Sequence, residues 1–151
     1  MPPEFALQGV LDYRHSRVET LEIRLGRLLH DQAQAQQAEA ALQRERQQLY
    51  ASLRERQAGP LNLGELAQIR FNVKHLDQQI ERQQAVLAAL ARQVDECRAQ
   101  LVAARQAEEA LVTLKNRELD RWRAEVARHE NSQRDDLYIM RAHRRAESAA
   151  R

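Results

Sequence analysis

The chain has 151 residues, a formal net charge of +2, 43% hydrophobic and 30% charged residues, but only 4% aromatics, four glycines and three prolines. That is too little turn-forming and bulky material for a large globular core, and it is the balance of long helices that bury a narrow stripe. The charge argues neither for nor against nucleic acid, a lone Cys97 excludes an internal disulfide framework, and no run approaches the roughly 18 apolar residues of a membrane span.

The N-terminus carries no basic-then-apolar leader, and a reducing compartment is the default for a chain with one cysteine, so the sequence reads as a soluble cytoplasmic protein. Residues 5–57 contain no proline, and their apolar positions recur every seven residues, the period of a coiled coil. One series is Leu7, Arg14, Leu21, Leu28, Ala35, Leu42 and Leu49; the other is Leu11, Val18, Leu25, Gln32, Glu39, Arg46 and Leu53. Gly9 and Gly26 lie inside this first helix and each costs about 1 kcal/mol relative to alanine.

The hinge, residues 58–63, follows at once. Gly59 is placed to close the helix with a positive φ, and Pro60 has no N–H to continue the ladder. Asn62 then reads as an N-cap with Glu65 completing a capping box, and Leu61 and Leu66 stand where a hydrophobic staple needs them.

The second helix, residues 63–145, repeats the pattern with Leu66, Val73, Ile80, Leu87, Val94, Leu101, Glu108 and Lys115, and with Ile69, Leu76, Gln83, Leu90, Cys97, Ala104 and Leu111. The expected fold is therefore all-α: a single antiparallel coiled-coil hairpin with the longer helix C-terminal and a frayed tail at 146–151. In such a hairpin the numbers of facing residues add to a constant, and matching the seams puts it at about 122. That register faces Leu21 with Leu101, Leu42 with Ile80 and Cys97 with Leu25. It also faces Arg14 with Glu108 and Glu39 with Gln83, polar layers that cost stability and fix register. Leu7 faces Lys115, so about 30 residues of the second helix overhang, with a weaker stripe through Leu114, Leu119, Trp122, Val126, Leu137 and Met140.

Chemistry is sparse. Gly59 and Gly64 have phosphate-loop spacing, but Glu65 and Leu66 stand where that motif needs Lys and Ser or Thr. The five histidines form no ligand motif, and Glu125 with His129 supplies only two candidate ligands, so neither metal nor cofactor is expected. A two-helix hairpin has no concave pocket in which carboxylates could be desolvated for acid/base work, so the chain does not read as an enzyme. Cys97 reads as a small buried hydrophobe of the seam.

Tyr50 and Phe71 lie near the hinge beside the seam series, and with His75 and Leu76 they make either a partner patch or edge packing over the seam. Trp122 is either an anchor on the overhanging arm or an ordinary exposed apolar residue. Arginines around it alternate with Glu118, Asp120, Glu125, Glu130, Asp135 and Asp136, a mixture that suits a protein partner better than nucleic acid.

The ordered set of features resembles the flagellar FliJ family of the type III export apparatus, and more distantly the YscO-type stalk proteins of injectisomes. The matching stretches are Phe5 to Arg14, Leu63-Gly64-Glu65-Leu66, Leu76-Asp77-Gln78-Gln79-Ile80-Glu81, Glu109 to Arg117, Arg123-Ala124-Glu125 and Asp135-Asp136-Leu137. The family commonly has a basic residue where Gln106 to Glu108 stand and an aromatic where this chain has Met140. The resemblance implies a cytoplasmic central stalk at the base of the export apparatus, with no cofactor and no membrane insertion. Its partners would be the export ATPase hexamer and the cytosolic domain of the membrane export gate, with export chaperones left open. On this basis Leu11, Arg14, Leu119, Trp122, Arg123 and Val126 are expected at the ATPase ring, and Leu42, Tyr50, Phe71, Leu76 and Gln83 at the gate. The competing reading is a structural coiled-coil module that self-associates through its C-terminal arm.

Overall fold

In the computed structural model, which describes residues 1–60 and 62–151, the described chain is helical throughout its ordered elements. Helix α1 spans Gln8–Gln57 and α2 spans Leu63–Ala150, and the two pack against each other as an antiparallel hairpin in which α2 is the longer, 88 residues against 50. Neither boundary at the chain ends is where the spacing alone puts it. The first helix starts at Gln8 rather than residue 5, because Phe5 to Leu7 enter as a turn: the Gln8 N–H donates to the Phe5 carbonyl at 3.0 Å, and the Leu11 N–H to Leu7 at 2.9 Å. At the other end α2 continues to Ala150, so residues 146–150 are helical and not frayed.

The hinge shows which of its residues carry the reversal. Helix α1 closes with the Ala58 N–H on the Arg54 carbonyl at 3.3 Å. Gly59 does not adopt a positive φ, so the break rests on Pro60, which has no N–H to donate, and not on a left-handed glycine. Asn62 is the N-cap of α2: its Oδ1 accepts from the Gly64 N–H at 3.1 Å and the Glu65 N–H at 3.4 Å. The Glu65 carboxylate takes the Arg56 guanidinium across the turn, which ties the end of α1 to the start of α2. Leu61, half of the expected staple, lies outside the described residues.

Contacts divide the chain into two compact units, residues 18–103 and a terminal unit formed by 1–17 with 104–151. In the first, Val18, Leu21 and Ala35 of α1 are buried, as are Ile69, Val73, Leu76, Ile80, Val94, Cys97 and Leu101 of α2. Leu21 and Cys97 are the most enclosed, each 1% exposed, and the Cys97 thiol points at the Leu21 carbonyl at 3.6 Å. Simple facing puts Cys97 opposite Leu25; in the structure it reaches Leu21, one turn along, as a knob seated among several residues of the opposing helix does. Arg46 is a polar seam position that pairs at the seam's margin. The Arg46 guanidinium reaches Asp77 at 3.1 Å and Gln43 at 2.6 Å, keeping its charge solvated while its stem covers the seam.

The terminal unit buries Phe5, Leu11 and Ala104. Across it the Lys115 ammonium donates to the Gln8 side-chain oxygen at 2.8 Å, and Glu108 meets His15 Nδ1 at 2.7 Å. In both units, residues paired across the helices have numbers adding to about 122: Arg56 with Glu65, Arg46 with Asp77, Glu39 with Gln84, His15 with Glu108, and Gln8 with Lys115.

Three substitutions test this account of stability by thermal unfolding followed by circular dichroism. Leu21→Ala removes an enclosed side chain and should lower stability by about 2–5 kcal/mol. Asn62→Ala removes the α2 cap and should cost about 1 kcal/mol. Gly26→Ala should raise stability by about 1 kcal/mol, since a Cβ there meets nothing within 4 Å and glycine is the poorer helix former.

Candidate functional site

Two surfaces carry the residues singled out by the sequence, one in each unit. In the hinge-side unit, Leu42 and Leu76 come together in a shallow groove also lined by Glu45, Leu49, Asn72, His75 and Gln79. Tyr50 does not join them. It lines a separate depression with Gln47, Leu53 and Arg54, and it is 41% exposed. The heptad explains the separation, because Tyr50 follows the seam residue Leu49 on one flank whereas Glu45 precedes Arg46 on the other. Phe71 lines neither depression and is 66% exposed, so it does not pack over the edge of the seam.

Gln83 is half-buried and donates its side-chain N–H to the Ala35 carbonyl at 3.0 Å. Its expected partner Glu39 accepts instead from the neighbouring Gln84 at 3.1 Å. The polar layer thus exists with a different pairing, because a long side chain inside the seam finds the backbone of the opposing helix before it finds a carboxylate.

In the terminal unit Leu11 is buried, and Leu119 is half-buried in a small crevice with Pro3, Phe5, Lys115 and Glu118. The non-helical N-terminal residues therefore cover α2 beyond the point where α1 ends, which helix spacing alone does not foresee. Phe5 was the missed residue here; its large ring just ahead of the helix was the available signal. Trp122 and Val126 are half-buried. Arg14 does not pair with Glu108, which meets His15; its guanidinium lies 5.9 Å from the centroid of the Tyr13 ring, a cation–π distance. Arg123 stands 3.6 Å from Asp120 one turn back.

From Ala127 to Arg151 every residue is exposed, although α2 persists to Ala150. Among these, Leu137 and Met140 belong to the stripe read from the sequence, whereas Tyr138 and Ile139 between them do not, and all four are exposed. His129 bonds with Gln133 at 3.2 Å, and among the described residues no group of three or more His, Cys, Asp or Glu could hold a metal ion. No described helix is long and apolar enough to cross a membrane. The arrangement presents apolar and arginine-bearing helix faces to solvent.

Comparison with known proteins gives one result. No curated protein and no solved structure matches the chain. The family model described as "Flagellar FliJ protein" matches residues 3–147, nearly the whole chain, including all of α1 and all but the last three residues of α2. A helical hairpin with the longer arm C-terminal, matched over that length, belongs to the flagellar FliJ family and so to flagellar protein export.

Proposed function

We propose that this chain is the central stalk of a flagellar export apparatus, with its terminal unit held in the ATPase hexamer ring and its hinge-side unit turned to the cytosolic domain of the export gate. The observation that carries the reading is the helical stretch of α2 after Val126, in which every residue is exposed and which still bears apolar residues. A helix of this kind has the dimensions to enter a ring opening, being about 10–12 Å across with its side chains. Membership of the flagellar FliJ family supplies the export context.

In this reading Leu11 and Arg14, with Leu119, Trp122, Arg123 and Val126, belong to the ring-facing end. The gate-facing end is the groove of Leu42 and Leu76 with the exposed rings of Tyr50 and Phe71 and the neighbouring Gln83. Glu108, Glu39 and Gln83 keep the two helices in step through His15, Gln84 and the Ala35 carbonyl, whereas Arg14, expected with them, lies against Tyr13 of its own helix. The cytoplasmic face of the export apparatus is where such a stalk works.

Mixing the protein with the export ATPase of the same organism should raise hexamer formation and ATP turnover; no change in either contradicts the stalk. Two variants separate the ends. Trp122→Ala should weaken ATPase activation while leaving gate binding intact, and Phe71→Ala should do the reverse, each by about tenfold in affinity as read by titration calorimetry. Self-association through the C-terminal arm is the second reading, favoured by the same exposed apolar residues. Light scattering distinguishes it, since a module of that kind is a stable dimer in the absence of ATPase and the stalk is a monomer.

A further inference from the structure

Leu137, Tyr138, Ile139 and Met140 are consecutive, helical and 56, 76, 64 and 56% exposed. Successive helix residues step about 100° around the axis, so four in a row face all sides. They make a collar around α2, not a stripe along it. An apolar stripe of the usual kind is about 100° wide and is buried by one groove or one neighbouring helix. Such a partner would cover Leu137 and Met140, about 60° apart on the wheel, and leave Tyr138 and Ile139 in water.

The flanking charge is uneven. Arg134, Asp135 and Asp136 precede the collar with both signs, whereas Arg141, His143, Arg144 and Arg145 follow it; Glu147 is engaged by His143 at 3.2 Å. Nearly one-signed charge beyond an all-round apolar band fits an enclosing partner whose wall is apolar and whose far rim is acidic.

We infer that residues 137–140 are the seat of a closed socket that grips α2 from every side, with acidic groups of the socket opposite Arg141, Arg144 and Arg145. This rests on the stalk reading above, in which the arm enters a ring, and it adds which four residues are held and that no side of them is left free. A second copy of the chain is the one-sided alternative.

The test places single cysteines in the full chain at the four positions, Leu137→Cys, Tyr138→Cys, Ile139→Cys and Met140→Cys. Maleimide labelling rates are then measured alone and with saturating export ATPase hexamer. These substitutions leave the packed part of the hairpin untouched, and Cys97, 1% exposed, contributes a constant slow background. A socket slows labelling at all four sites, by about tenfold or more. Protection confined to Leu137→Cys and Met140→Cys, with Tyr138→Cys and Ile139→Cys labelled at the free rate, overturns the collar and leaves the stalk standing. Protection that appears without ATPase and grows with protein concentration assigns the face to a second copy and overturns the socket. Failure of the unsubstituted chain to bind the hexamer overturns the stalk reading, and the collar falls with it.

Discussion

The packing of one heptad seam against another, run antiparallel and held in one register, is the constraint on which the other features depend. Its strongest point is the layer where Cys97 and Leu21 exclude water almost completely. The hinge places the two seams opposite each other. Asn62 starts α2 immediately after Pro60 ends the first ladder, and Arg56 with Glu65 clips the two helix ends together. With so short a reversal, a slip by one heptad would separate Arg46 from Asp77, Gln84 from Glu39 and Lys115 from Gln8 together. The contacts of Arg46 with Asp77 and of Gln84 with Glu39 are exposed and Lys115 with Gln8 is part-buried; each is individually weak, about 1 kcal/mol, so they select among registers and the apolar layers supply the stability.

The same register decides where function can sit. Because α1 begins at Gln8 and faces Lys115, α2 runs on past the start of α1, and Pro3 and Phe5 extend the cover to the crevice at Leu119. Burial then fades through Trp122 and Val126 and is gone from Ala127 onward. An isolated helix has no tertiary packing to stabilise it, and most helical stability in proteins comes from such packing. In the proposed stalk, contact with the ring would supply the packing that this stretch lacks. In the hinge-side unit, Phe71 is exposed and Leu42 and Leu76 line a groove with the polar residues Glu45, Asn72, His75 and Gln79.

The fold was legible because its information is periodic. Seven-residue spacing, a proline-bearing break and an asparagine cap specify two helices and their register without reference to any distant contact. What stayed hidden was what periodicity does not encode. Numbering pairs Arg14 with Glu108 and Glu39 with Gln83, but long side chains reach diagonally, and His15, Gln84 and the Ala35 carbonyl are the partners formed. Gly59 looked like a left-handed cap because glycine permits that geometry; permitting a conformation is not requiring it, and Pro60 ends the helix without it. Phe5 lies outside the helix and so outside the heptad. Tyr138 and Ile139 lie off the stripe that Leu137 and Met140 continue, so helical periodicity does not single them out.

The register claim is tested most directly by cross-linking within one molecule. With Cys97 replaced by serine, the pair Glu39→Cys and Gln84→Cys should join rapidly through a short thiol-to-thiol linker and migrate as a monomer, since these side chains meet at 3.1 Å. The pair Glu39→Cys and Ala91→Cys, one heptad further along α2, should not. Faster joining of the second pair, or joining only between molecules, would contradict the hairpin register and the unpaired C-terminal arm that follows from it.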